Sequence, residues 1–244
     1  MIQARKLVVE QPTVFGPMLG KINAEGKNGK SISIPYIDPF AMLTVASSKT
    51  YMSALLERSL VEHPPSPDRP WSILFYSDEV TPGNVLKAQN HKKVQVIYWS
   101  FNEFGADALG KDGYWFTATV VRSSRVQDME GGMSQLTSLI LLTMFGSVHN
   151  LKTSGIRLVV NGREFRMFAT LGQVPSDEDA LHQMWRCKGA SGTKMCVMCK
   201  SVVNKNWKAA DQLGPKSYFV PYNQVLWMEG VWRRGWIWGG GWSG

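Results

Sequence analysis

Cysteine, histidine and long apolar runs are all scarce in this chain of 244 residues. The three cysteines, Cys187, Cys196 and Cys199, all fall near one another. An odd count excludes complete internal disulfide pairing, and the clustering is not that of a stapled secreted framework. With 4 histidines, a Cys–His nucleophilic site would have to use His182 or His149. No Gly-x-Ser-x-Gly elbow is present, and Gly189-Ala-Ser-Gly lacks that spacing. The longest apolar stretch, residues 136–145, is far too short to span a bilayer. The opening Met-Ile-Gln-Ala-Arg-Lys holds no apolar core of a secretory signal. These features predict a soluble intracellular protein with no membrane partner. Hydrophobic residues at 44 % are too many for wholesale disorder. A net charge of +8 permits a polyanionic partner without demanding one.

The N-terminal region, residues 1–62, reads as β-rich and then helical. Residues 21–23 and 31–34 flank a Gly-rich tip and predict a hairpin. That tip contains Gly29-Lys30-Ser31, the end of a phosphate loop. The motif's first glycine would fall on Ala24, and Pro35 follows where a helix should, so a phosphate loop is excluded. Residues 39–60 suit a helix with Met42, Val45, Met52, Leu55 and Leu56 on its apolar side. Residues 63–70 then hold Pro64, Pro65, Pro67 and Pro70, a linker or a stiff surface turn.

From residue 71 the pattern sharpens into an α/β order. Residues 71–76 form a buried-type strand that runs into Asp78 and Glu79. Residues 94–101 and 114–121 supply two more strands. Ser134 is placed to cap a helix over 135–145. Residues 156–160 and 163–171 flank Asn161-Gly162, a strong hairpin turn signal. The second arm ends near Asp177, Glu178 and Asp179. Three strands, a helix, another strand and an acid is the order of an RNase H-like mixed sheet with flanking helices. There the first and fourth strands lie side by side in parallel, and their acids meet. Two carboxylates so placed can hold Mg²⁺ or Mn²⁺ for phosphoryl transfer. Acids after strands also occur as plain solvated turn residues.

The cluster Cys187-Lys-Gly-Ala-Ser-Gly-Thr-Lys-Met-Cys196-Val-Met-Cys199 has zinc-ligand spacing. A tetrahedral Zn²⁺ site needs a fourth ligand. His182 is the nearest in sequence, with His149 or a late acid as alternatives. Three unligated thiols remain the other reading. Lys188, Lys194, Lys200, Lys205 and Lys208 would make the loop a basic surface suited to DNA phosphate.

The motifs Trp71-Ser-Ile-Leu-Phe-Tyr-Ser-Asp-Glu-Val-Thr-Pro-Gly-Asn84, 94–101, Gly131-Gly-Met-Ser134, Ser176-Asp-Glu-Asp-Ala-Leu181 and 187–200 together carry a family likeness. The stretch 71–203 resembles the DDE-type transposase core of eukaryotic mobile elements, of the Kyakuja-Dileera-Zisupton and Plavaka-like kind. The resemblance implies an RNase H-like core over 71–212, with Asp78 and Asp177 as first and second catalytic acids holding Mg²⁺ or Mn²⁺. It implies a Cys-rich zinc loop (Cys187, Cys196, Cys199, with His182) inserted after the second acid. DNA as partner and a nuclear location follow from the ancestral role. Such cores use a third acid on a downstream helix. After Cys199 only Asp211 and Glu229 remain, neither in a helix-forming run. Residues 213–244 form an irregular tail with Trp227, Trp232, Trp236, Trp238 and Trp242 among glycines. The expectation is a truncated, inactive transposase-like remnant of two-metal DNA cleavage and strand transfer. The alternative is a non-catalytic zinc and nucleic-acid binding module. No small-molecule substrate is evident.

Overall fold

The computed structural model describes residues 12–48, 50–81, 92–146 and 148–185. The Cys cluster, Asp211, Glu229 and the Trp-rich tail lie outside the described residues. The chain divides into two units, one of residues up to Glu130 plus 139–176, the other of 131–138 plus residues from Asp177 onward. Residues on both sides of the Pro-rich segment 63–70 belong to the first unit.

The first unit begins with a short pair, β1 (Pro12–Thr13) and β2 (Gly16–Pro17). The expected hairpin follows as β3 (Leu19–Glu25) and β4 (Ser31–Ile37), antiparallel from Leu19↔Ile37 to Glu25↔Ser31. Its tip closes through Gly26 N to Lys30 O at 2.8 Å, and Gly29 takes a φ of 67° that a side chain would resist. Pro35 is tolerated inside β4 because that strand pairs on one side only. The Pro35 carbonyl instead accepts the Thr119 hydroxyl at 2.7 Å.

The helix expected over 39–60 is two helices, α1 (Pro39–Ser47) and α2 (Thr50–Glu62). The break has a local cause. Thr44, Ser47 and Ser48 hydroxyls each donate to backbone carbonyls three or four residues back, and Ser48 terminates α1. Such bonds compete with continued helix. The start of α1 is sharp: Asp38 Oδ1 accepts from Phe40 N at 3.0 Å and Ala41 N at 2.9 Å, and Pro39 occupies the first helical position.

The main sheet has four strands: β5 (Trp71–Val80), β6 (Val94–Phe101), β7 (Phe116–Arg122) and β10 (Ala169–Gln173). Their order is β10-β5-β6-β7. β6 runs antiparallel to both β5 and β7, and β10 runs parallel to β5. A strand flanked on both sides reads as a continuous apolar run, as 71–76 does. Trp71, Ile73 and Phe75 share one buried face of β5, continued by Trp99 and Phe101 on β6 and Phe116 on β7. Their rings meet in tilted and edge-on pairs, Trp99–Phe116 at 4.6 Å and Trp71–Phe101 at 5.1 Å between centroids. At that range aromatic pairs add to plain area burial. The Trp71 indole donates to His63 O at 2.6 Å, which ties the Pro-rich segment to the sheet.

Between β6 and β7 lie α3 (Ala106–Leu109) and two single turns of 3₁₀ helix. β7 begins two residues later than expected, since Tyr114 belongs to the second of those turns. After β7 comes α4 (Ser123–Asp128). The single arm expected over 163–171 is split. β8 (Ile156–Val160) pairs antiparallel with β9 (Arg163–Met167) around Asn161-Gly162, and the chain then leaves that hairpin to place β10 beside β5. Gly172 permits the close approach, since a Cβ there would sit 2.7 Å from Ser72 Cβ.

Helix α5 (Gly132–Phe145) starts earlier than the sequence suggests. Ser134 is inside it and is not its cap; Gln135 reaches back with Oε1 to Gly131 N at 3.1 Å. In the second unit the described residues are 131–138, which hold the start of α5, and 177–185, which hold helix α6 (Glu178–Trp185). The protein is thus a mixed α/β chain with a four-stranded mixed sheet and flanking helices.

Candidate functional site

Asp78 and Glu79 are adjacent in sequence and have different roles. Side chains alternate along a strand, so the pair points to opposite faces of β5. Glu79 is occupied structurally. Its carboxylate accepts from Lys93 Nζ at 2.7 Å, Ser123 Oγ at 2.7 Å and Gln95 Nε2 at 3.2 Å. The Lys93 hydrogen bond is the main reason its carboxyl sits below the ordinary carboxylate range. The group stitches β5 to β6 and to the start of α4.

Asp78 shares its face with Tyr76 and lies opposite Val96 on β6. It is half-buried. Tyr76 stacks on its cross-strand partner Tyr98 with ring centroids 6.4 Å apart. The β10 pairing reaches along β5 only to Leu74, so Asp78 lies four residues further toward the C-terminal end of β5. A carboxylate there is a hard oxygen donor, the kind that Mg²⁺ and Mn²⁺ take.

Asp177 follows β10 by four residues and belongs to the second unit. It is the N-cap of α6. Its Oδ1 accepts from Ala180 N at 2.7 Å and its carbonyl from Leu181 N at 3.0 Å. Glu178 and Asp179 then occupy the first turn, where negative charge meets the positive end of the helix dipole. The acidic run 177–179 thus has a local structural role that the strand-and-acid pattern did not bring out. The signal was in the sequence: Ser-Asp-Glu-Asp ahead of Ala-Leu is also a helix start.

His182 lies in the last turn of α6 and is half-buried. Its three intended companions, Cys187, Cys196 and Cys199, lie outside the described residues. Among the described residues no three His, Cys, Asp or Glu side chains gather into a metal-holding group. His149, the alternative zinc ligand, is part of a different cluster. Its ring meets Phe15 edge-on at 4.9 Å and Phe40 at 5.8 Å.

That cluster borders a cleft of about 320 Å³ within the first unit, which no motif announced. β4 contributes Tyr36, α1 contributes Phe40, and Asp38 sits at the junction between them. Burial raises the Asp38 carboxyl above its ordinary range, against the opposing pull of the Ala41 and Phe40 amides and of His149. Burial, and secondarily the Asp38 charge, raises the Tyr36 phenol. Asp-Pro at the head of an apolar run marks a helix start, but nothing in the sequence links it to Phe15 or His149.

Among the described residues no helix is long and apolar enough to cross a membrane. No protein-family model and no curated protein matches this chain.

Proposed function

We propose that the chain carries an RNase H-like core of DDE transposase type, descended from two-metal DNA cleavage, with Asp78 and Asp177 as its first two acids. The supporting observation is the strand order β10-β5-β6-β7, with three antiparallel strands and a fourth parallel to the first. The RNase H-like arrangement uses that order and keeps its first acid on the strand corresponding to β5. Glu79 is committed to Lys93 and Ser123, which leaves Asp78 as the member of the pair suited to an ion. A bound Mg²⁺ or Mn²⁺ would supply water activation and charge stabilisation at the scissile phosphate. In this reading neither Asp211 nor Glu229 completes the acid set, so the second ion is loosely held and strand transfer is lost. A missing stabilising element costs on the order of 10²–10³ in rate. What remains is salt-sensitive DNA binding through basic surface, together with a zinc loop formed by Cys187, Cys196, Cys199 and His182.

Mn²⁺ binding and plasmid nicking test the proposal together. Mn²⁺ should bind the intact chain and bind less well after Asp78→Asn, while nicking of supercoiled DNA stays at background in both. Mn²⁺ affinity indifferent to Asp78→Asn and Asp177→Asn would reduce the two acids to a strand residue and a helix cap. Robust nicking abolished by Asp78→Asn would show a working nuclease.

A further inference from the structure

We propose that the cleft bounded by Asp38, Phe15 and Phe40 binds a small alkylammonium cation. The charge would rest on the Asp38 carboxylate and the alkyl groups against the two phenyl rings. The inference is independent of the metal and DNA reading above, because every residue in it lies in another part of the first unit from β5.

Four observations carry it. At about 320 Å³ the cleft falls at the small end of the range for small-molecule sites. Its walls are mostly aromatic and aliphatic, and Phe15, Phe40 and His149 pack against one another at 4.9–5.8 Å, so the wall is held by its own contacts. Among the described lining residues there is no lysine or arginine, and Asp38 is the one carboxylate. The one basic side chain on the lining is His149, whose pull on the Asp38 carboxyl a bound cation would take over. Aromatic faces with one acid are the chemistry that holds ammonium groups, through ring quadrupole and charge together.

The acid is also held in place rather than free to swing out to water. Oδ1 is fixed by the two amides at the head of α1. Tyr36 is fixed as well, since its ring lies against the Cα of Gly20. Burial works against the Asp38 charge. A bound cation would offset that cost and be held more tightly in return.

The experiment titrates the full chain with choline chloride and with its uncharged isostere 3,3-dimethylbutan-1-ol, followed by chemical shifts or calorimetry. Choline should bind saturably, with the isostere weaker by about tenfold or more. Asp38→Asn should reduce choline binding by a similar factor without unfolding α1, because asparagine caps helices as well as aspartate does. Phe15→Leu should weaken choline and leave the stability of the chain close to wild type. Equal binding of charged and uncharged probes would make this an apolar cleft and overturn the cation reading. Undiminished choline binding by Asp38→Asn, or no saturable binding of choline, would overturn it too.

Discussion

Gly20 and Tyr36 face each other across the β3–β4 hairpin, and a Cβ on Gly20 would come within 2.5 Å of the Tyr36 ring. The tyrosine ring fills the space a side chain would have taken. Gly20→Ala should therefore displace Tyr36 from the cleft wall and lower stability by about 1–3 kcal/mol, the usual cost of overpacking. Urea denaturation gives the stability change, and a shifted Tyr36 ring resonance reports the displacement. No shift in either would mean that the hairpin yields instead of the ring.

Glu79 and Asp38 should bend the pH–stability curve in opposite directions. The Glu79 carboxyl is lowered, so its contribution is complete above its unfolded pKa and is lost as pH falls through the lower folded value. The Asp38 carboxyl is raised, so its contribution is complete below its unfolded pKa and is lost as pH rises through the higher folded value. Glu79→Gln should flatten the acid-side fall between about pH 3 and 5. Asp38→Asn should gain stability relative to wild type as pH rises above about 4. Urea midpoints across that range check both signs.

Asp177 should separate its capping role from any metal role. Asp177→Ala removes the acceptor of the Ala180 amide and should cost α6 about 0.5–2 kcal/mol. Asp177→Asn keeps the cap and removes the charge, so helix content should be unchanged while Mn²⁺ affinity falls. Circular dichroism and Mn²⁺ titration on the same two variants distinguish the roles. Equal loss of helix in both would mean that the charge, not the acceptor, holds the α6 start.

Zinc content tests the cysteine cluster. Protein purified under reducing conditions should carry about one zinc per chain, and Cys196→Ser should lose it. His182→Ala should weaken retention if its imidazole is the fourth ligand. Metal content near zero in a reduced, folded sample would leave three free thiols.

Much of the sheet was legible in the sequence because burial on both sides leaves a plain signature. The run Trp71-Ser-Ile-Leu-Phe-Tyr76 and the segment 94–101 are strands, and Asn161-Gly162 turns a hairpin. The parallel pairing of β10 with β5 followed from the order of elements. The sequence could not reveal that 163–171 would break at Phe168 and serve two sheets. The periodicity is the same on either side of the break, and while β8 is a near neighbour in the chain, the second partner, β5, is distant in sequence.

The site divides along the same line. Local chemistry alone places acids at 78, 79 and 177, a proline-led helix after Asp38, and a cysteine cluster beyond residue 186. Tertiary structure alone assigns Glu79 to Lys93, just ahead of β6, and to Ser123 at the start of α4. It alone brings Phe15, Phe40 and His149 to one wall, across more than a hundred residues of chain. Residue type sets which bonds a side chain can make, whereas long-range packing sets which partner is close enough to make them.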